Sequence, residues 1–334
     1  MQLLLVRRIL ILVLLLLTAC TLSPFPANTS TTPPSTPTPN PYGKEVIARY
    51  RYPEPRGLAT GFGSLWVDVF GDSLYRVDPS TGQQQAVITA GIGKEPAQML
   101  ATQDALWLIN SQSATIARID PQSNTVTASL KFGDICCSLA EFDGGVWTID
   151  AKTTLSRVDI KTNAITASTL ADGTLTNGPF VGNGVLWVEV DNNNLVSFDP
   201  STQAFGTRLP YQGAPLGFAQ GLFWTVDDHA VYGMDPVTGK VSAKIDAAES
   251  QVARFGFTGT YGDGQLGAVD GSSAWLIGLD ALSSPLLVKV DLVSQKLVAA
   301  IHVDPPYYGM IAILVDGHTI WLADDHNQVL KVQP

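Results

Sequence analysis

Nine carboxylates crowd into one kind of place in this chain. The five residues that follow each of its seven tryptophans hold Asp68, Asp150, Glu189, Asp191, Asp227, Asp228, Asp280, Asp324 and Asp325, against a single Lys152. That is roughly three times the share that 30 Asp and Glu in 334 residues would give. Twice the stretch reads Asp-Asp-His, at Asp227-Asp228-His229 and at Asp324-Asp325-His326, so half of the four histidines occupy one position. Carboxylate oxygens with imidazole nitrogens are a donor set for a divalent cation such as Ca or Mg. The same acids suit a cationic or polyhydroxyl ligand. The competing reading is conformational, since Asp is favoured in turns for its short hydrogen-bonding side chain. Two long stretches bring aromatic side chains to the same region. "DAAESQVARFGFTGTYGDGQLGAVDGSS" carries Arg254, Phe255, Phe257 and Tyr261, and "HVDPPYYGM" carries Tyr307 and Tyr308. Extra length in a binding loop, with aromatics for stacking on a sugar or a partner, points to recognition.

What positions these residues is a repeat. Trp66, Trp107, Trp147, Trp187, Trp224, Trp275 and Trp321 recur at spacings of 41, 40, 40, 37, 51 and 46. A period near 40 built of short β-patterned segments is the signature of a propeller blade. Each unit reads as four strands. A short inner strand is followed by a tight turn, such as Asp143-Gly144, Asn183-Gly184 or Asp316-Gly317, which are type I′ hairpin signals. The Trp strand comes next, then a variable loop, then a third strand ending in Val-Asp-Pro or a variant. The fourth strand alternates apolar and polar residues. Asp78, Asp120, Asp159, Asp199, Asp235 and Asp291 recur at the end of the third strand, where Asp caps a type I turn and Pro presets φ. They are read as hairpin corners, and the tryptophans as core. The last unit ends one strand short, and "KEVIARYRY" from Lys44 matches "NTVTASLKF" from Asn124. The fold class is therefore all-β: a seven-bladed β-propeller over residues 43–334, closed by the N-terminal strand pairing into the last blade. Closure removes the free edge. In such a ring the loops from second to third strand and the blade-to-blade connections share one end, the usual ligand face.

The pattern "LW…LYRVDPSTG" resembles propellers of the NHL and YVTN repeat type, including the virginiamycin B lyase-like group. That resemblance implies a seven-bladed ring with a metal-assisted His/Glu site on the ligand face. No residue pair here aligns with that catalytic pair, so a metal-dependent lyase or hydrolase stands as the second functional reading. "DPVTGK", Asp235 to Lys240, also resembles the quinoprotein propeller motif, but "VSAKI" follows where that motif has a tryptophan. G-x-S-x-G, H-E-x-x-H and C-x-x-C are absent. Gly262, Gly264 and Gly267 fit G-x-G-x-x-G without the amphipathic helix that a dinucleotide site needs.

The N-terminus supplies an address. "MQLLLVRRILILVLLLLTAC" has a basic start at Arg7 and Arg8 and a nine-residue apolar run, Ile9 to Leu17, too short to span a bilayer. Leu17-Thr18-Ala19-Cys20 resembles the bacterial lipobox, which implies a signal peptide over 1–19 and lipidation of Cys20, an anchor in the membrane. Residues 21–41 hold seven Pro, six Thr and three Ser, so 20–42 reads as a lipidated tether reaching about 65 Å when extended. The formal charge of −10 becomes −12 once the two arginines leave, which disfavours nucleic acid as a partner. With Cys20 lipidated, Cys136 and Cys137 have only each other. The pair is either a strained vicinal disulfide or two buried thiols in a tight loop.

The reading is of an extracytoplasmic, monomeric lipoprotein. It binds a protein, a small molecule or a glycan through an acidic, aromatic-rimmed face. A scaffold in an envelope assembly is a further alternative.

Overall fold

The computed structural model describes residues 46–71, 73–93, 96–150, 152–170, 172–247, 252–255, 267–303, 310–324 and 326–334. The signal peptide, Cys20 and the tether lie outside the described residues, as do Tyr261, Tyr307, Tyr308 and Asp325. The described residues contain no α-helix and thirty strands. They form seven antiparallel sheets.

Six sheets are built from consecutive strands, over 55–88, 96–131, 135–169, 175–210, 214–246 and 254–302; these are blades 1 to 6. The seventh runs from Met310–Asp316 through Thr319–Asp324 and Gln328–Val332, and its outermost member is Val46–Arg51. The N-terminal strand therefore closes the ring as its sequence match to Asn124 onward predicts. Innermost strands touch in a circle. Pro55–Gly61 meets both Pro96–Ala101 and Met310–Asp316, and contacts continue through Ile135–Phe142, Leu175–Gly182, Ala214–Ala219 and Gly267–Asp270 back to Met310–Asp316.

The alternation of each strand buries both faces of a blade, one against each neighbour. Seven apolar clusters result, one per seam, and each contains one of the seven tryptophans. None of the seven is more than 7% exposed. A buried indole needs a partner for its N–H, and the same one recurs: the residue five before it, where the inner strand turns. Trp66, Trp147, Trp187 and Trp224 donate to the carbonyls of Gly61, Phe142, Gly182 and Ala219 at 2.9–3.2 Å, and Trp107 donates to Thr102 Oγ1 at 3.1 Å.

The turns follow the predicted chemistry in detail, with one difference. Asp143-Gly144 and Asn183-Gly184 have positive φ at both residues (47° and 65°, 55° and 73°), as a type I′ turn requires. In the last blade Asp316 pairs with Thr319, so the central residues are Gly317 and His318, and only Gly317 has positive φ. That turn starts on the glycine.

The closing seam depends on one such glycine. Gly82, at φ +71°, lies over the ring of Tyr50, and a Cβ there would come within 1.8 Å of the ring. Tyr50 lies against Trp321, with ring centroids 6.2 Å apart, and Tyr52 meets Tyr75 edge-on at 5.3 Å. The last strand is thus held by aromatic packing from the first blade as well as by its own ladder with Gln328–Val332.

Blade 6 has a divided inner position. Arg254–Phe255 pairs with Leu279 and Gly278, and Gly267–Asp270 continues along the same strand from Leu276 to Ser273. The long stretch before Trp275 is an insertion within an inner strand, so the blade connection itself is shorter than the Trp spacing suggests. Gly267, the last glycine of the G-x-G-x-x-G match, opens a strand.

Candidate hairpin and junction face

The residue three after each Trp lies at the end of the second strand or one residue from it, and in four blades it is Asn or Asp: Asn110, Asp150, Asp227 and Asp324. Their side chains organise the loops around them. Asp227 Oδ1 accepts from the amides of His229 and Ala230 at 2.8 Å each, and its Oδ2 accepts from Tyr232 Oη at 2.9 Å. Asp324 accepts from the amides of His326 and Gln328 and from Gln328 Nε2 at 2.8–3.1 Å. Asp280 caps its turn through the amides of Leu282 and Ser284, both at 2.8 Å.

Others tie the hairpin to the incoming blade connection. Asp150 Oδ1 accepts from the amides of Gly133 and Asp134 at 2.9 and 3.0 Å. Asp191 accepts from the Thr174 amide at 2.8 Å and pairs with Arg208 at 2.6 Å. Asn110 donates to the Ile92 carbonyl at 2.7 Å. The amide of Phe255 reaches the carbonyl of Asp228 at 3.1 Å, so the first Asp-Asp-His hairpin is stitched to the start of blade 6. Hairpins and blade connections thus share one end of the ring.

Within this face the acids divide by burial. Asp68 is fully buried and Glu189 is 6% exposed, although neither stands at the hairpin position; both are two residues after their Trp. Glu189 Oε1 accepts from the Asn193 amide at 2.9 Å and lies beside Tyr211, whose hydroxyl is buried. Burial first, then the Glu189 charge, pushes the Tyr211 hydroxyl far above its ordinary range. The loop beyond Glu189 is held in a rarely populated form: Asp191, Asn192 and Asn193 all have positive φ, at 50°, 47° and 96°. The Asn192 amide donates to Thr176 Oγ1 at 3.1 Å and helps to fix it.

Electrostatics follow from these contacts. Burial alone would raise Asp227, but the His229 and Ala230 amides and the Tyr232 hydroxyl outweigh it and hold the carboxyl below its usual range. In return Tyr232 is pushed up to about 12, by burial and then by its bond to Asp227. Asp228, His229 and His326 are exposed, as is Arg254, whose backbone belongs to the inner position of blade 6. Among the described residues no three His, Cys, Asp or Glu side chains come together as a metal site. The two Asp-Asp-His hairpins belong to blades 5 and 7, with blade 6 between them. Cys136 and Cys137 lie in a strand, Ile135–Phe142, at a break in its pairing between Cys136 and Ala140, and not in a tight loop.

Asn110 and Tyr211 are parts of this face that a count of acidic residues passes over. Asn110 had a legible signal, since it occupies the same position after Trp as Asp150, Asp227 and Asp324. Tyr211 had none, because nothing in the repeat brings it to Glu189.

No protein-family model matches the sequence, and no curated protein matches it either. Solved structures do match. Virginiamycin B lyase from Staphylococcus aureus superimposes with a TM-score of 0.64 at 12% identity, over 86% of this chain and 98% of that one. A catalytically inactive form of the same enzyme with quinupristin gives 0.63 at 13%, over 85% and 96%. BamB from Moraxella catarrhalis gives 0.54 at 13%, over 90% of this chain and 94% of its own. At these identities the likeness establishes the propeller fold that the Trp period predicts.

Proposed function

We propose that this chain is a membrane-anchored, extracytoplasmic propeller that binds a protein, small-molecule or glycan ligand through its hairpin and junction face. The observation that carries this is the direction of the closing strand. Val46 pairs with Val332 and Arg51 with Gln328, and Gln328 follows the second-to-third strand hairpin of blade 7. The chain therefore enters the ring at the end that carries the Asp-Pro turns. The proposed tether from a lipidated Cys20 precedes this strand in the chain, so the hairpin face is the end of the ring opposite the entry point of the closing strand. Acyl chains on the mature N-terminal cysteine give stable anchoring.

A binding role also suits the chemistry of the face. Its described carboxylates are engaged mostly by backbone amides, which makes them preorganised acceptors and shapes the loops; a general acid or base needs a partly free, tuned group. The second reading, a metal-dependent lyase or hydrolase, draws support from the structural likeness to virginiamycin B lyase. Envelope scaffolding is a further alternative.

Two experiments test the proposal. Mass analysis of the mature N-terminal peptide from membranes is expected to show a diacylated or triacylated Cys20; an unmodified cysteine there ends the anchoring claim. A thermal-shift titration with Ca²⁺, Mg²⁺, Mn²⁺ and Zn²⁺ after EDTA treatment separates the two functions, because a bound ion must raise the melting temperature. No saturable shift is expected. A shift abolished by Asp324→Ala with His326→Ala replaces the binding reading with the metal-dependent one.

A further inference from the structure

Asp68 is out of place among its equivalents. Two residues after Trp, the other blades carry Ile109, Ile149, Glu189, Val226, Ile277 and Ala323. Five of these six are apolar, as expected for a position buried in a seam. Glu189, the remaining one, has the Asn193 amide as partner. Asp68 is fully buried, and neither of its carboxylate oxygens has a hydrogen-bond partner among the described residues.

Its direction follows from register. Asp68 pairs with Leu74 on the third strand and shares the sheet face of Trp66, two residues before it. Trp66 and Leu74 belong to the cluster between blades 1 and 2, with Ile92, Leu106 and Leu108. Asp68 therefore points into that seam. Its partner on the inner strand is Gly57, which offers no side chain.

The charged groups nearby make their contacts elsewhere, although the buried Nε of Arg56 has no hydrogen-bond partner among the described residues. Arg76, on the same face, turns over the Trp66 ring and bonds to Ser64 Oγ at 2.8 Å and Asn124 Oδ1 at 3.0 Å. Arg56 engages Glu54 at 3.8 Å and the Phe70 ring. Tyr75 packs in the seam on the other side of blade 1. From blade 2, the strands Pro96–Ala101 and Leu106–Asn110 bring no titratable side chain, and Arg118 and Asp104 pair with each other at 2.9 Å. Lys131 is bonded to the Ser113 carbonyl. The connection at 89–93 has no titratable residue, and Asp72, Lys94 and Glu95 lie outside the described residues.

We propose that Asp68 makes the seam between blades 1 and 2 a pH-sensitive joint: closed while the carboxyl is protonated, and loosened as it ionises. An uncompensated carboxylate in an apolar seam costs far more than the neutral acid. Burial accordingly holds the Asp68 carboxyl well above its ordinary value of 3.8. The sign follows. A group raised in the folded state contributes stability that is complete below its free value and lost as pH rises through the folded value.

The seam has one exposed consequence. At its hairpin end, Asn110 holds the blade connection through the Ile92 carbonyl, with Gly93 at φ +84° fitted so closely that a Cβ would overlap Asn110 Nδ2 at 1.5 Å. Loosening the seam frees that connection and changes the binding face.

The test is amide exchange at Ile92 and Asn110 between pH 4.5 and 8, corrected for intrinsic rates, in the full propeller of residues 43–334. That span contains every strand of the described residues and the ring closure. In the unaltered protein, opening is expected to rise about tenfold per pH unit while pH lies between the free and folded values. In Asp68→Asn, and in Asp68→Ile with the residue of blades 2, 3 and 6, the profile is expected to be flat. Asp150→Asn, at a capping position, is expected to keep the slope. Equal slopes in the unaltered protein and both Asp68 variants overturn the proposal.

Discussion

An aspartate in this protein means three different things, and its surroundings decide which. Asp78, Asp120, Asp159, Asp199, Asp235 and Asp291 cap the third turn of their blades. Asp78 takes the Ser80 hydroxyl and amide at 2.6 and 2.8 Å, and Asp159 takes the amides of Lys161 and Thr162 at 3.1 and 2.9 Å. These bonds hold all six carboxyls below their ordinary value. A lowered folded value gives stability that is present above pH 3.8 and lost as pH falls through the folded value. Acid unfolding is therefore expected to begin below about pH 4, and Asp78→Asn with Asp159→Asn should flatten that limb in a pH series of melting temperatures. The turn aspartates were legible, because Asp-Pro with Thr-Gly is local chemistry. The hairpin acids were legible only as an enrichment, since Asp227, Asp280 and Asp324 cap irregular hairpins of their own while Asp150 and Asp191 depend on amides of the incoming blade connection. Asp68 was hidden among them: one step along a strand separates a solvated cap from a seam, and a count over five residues merges the two. Buried hydroxyls carry a related prediction. Thr148 and Ser156 are cross-strand neighbours in blade 3, both buried with no hydrogen-bond partner among the described residues. Replacing them together by Val and Ala is expected to raise stability by about 1 kcal/mol in denaturant unfolding, because an unmade buried hydrogen bond costs about that much.

At the scale of the element, one third-strand position ties blades together, and the repeats carry its rule. The residue paired with Trp is Arg76, Arg118, Arg157, Lys289 or Lys331 in five blades. Four of these cations lie over the indole, 5.1–5.4 Å from the ring centroid. Three also reach the Asp turn of the following blade. Arg76 bonds to Asn124, Arg118 to Asn163 at 3.1 Å, and Lys331 to the Pro79 carbonyl at 2.6 Å. Blades 4 and 5 have Ser197 and Gly233 instead. The seam between them relies on rings, with Phe218 stacked on Trp187 at 5.5 Å and edge-on contacts to Phe223 from Phe180 and Tyr211. An isolated Arg in a strand carries no meaning in the sequence until the neighbouring blade is in place. A double-mutant cycle on Arg118 and Asn163 is expected to give a coupling of about 1 kcal/mol at low and high salt alike, as for a hydrogen bond in a partly buried setting.

The whole molecule is a ring whose last strand comes from its beginning. Removing residues 46–52 leaves blade 7 with an open edge and strips Tyr50 and Tyr52 from the cluster around Trp321. Loss of a single cooperative transition is expected in thermal unfolding of that variant. A melting temperature unchanged from the full ring contradicts the closure. The number of blades and the closing strand were legible because the Trp period and the missing fourth strand are global features of the sequence. The orientation of the faces was not, because it depends on strand direction in the seventh sheet. That direction places the entry of the closing strand at the Asp-turn end, and the proposal that ligands meet the hairpin and junction face rests on it. The most direct measurement places a photo-crosslinking amino acid at Asp280 or His229 on the one face, and at Lys161 or Ser201 in the Asp turns of the other. Each variant is expressed in the native host, and covalent adducts are identified by mass. A discrete adduct is expected from Asp280 or His229 and none from Lys161 or Ser201. A discrete adduct confined to the Asp-turn positions contradicts the proposal.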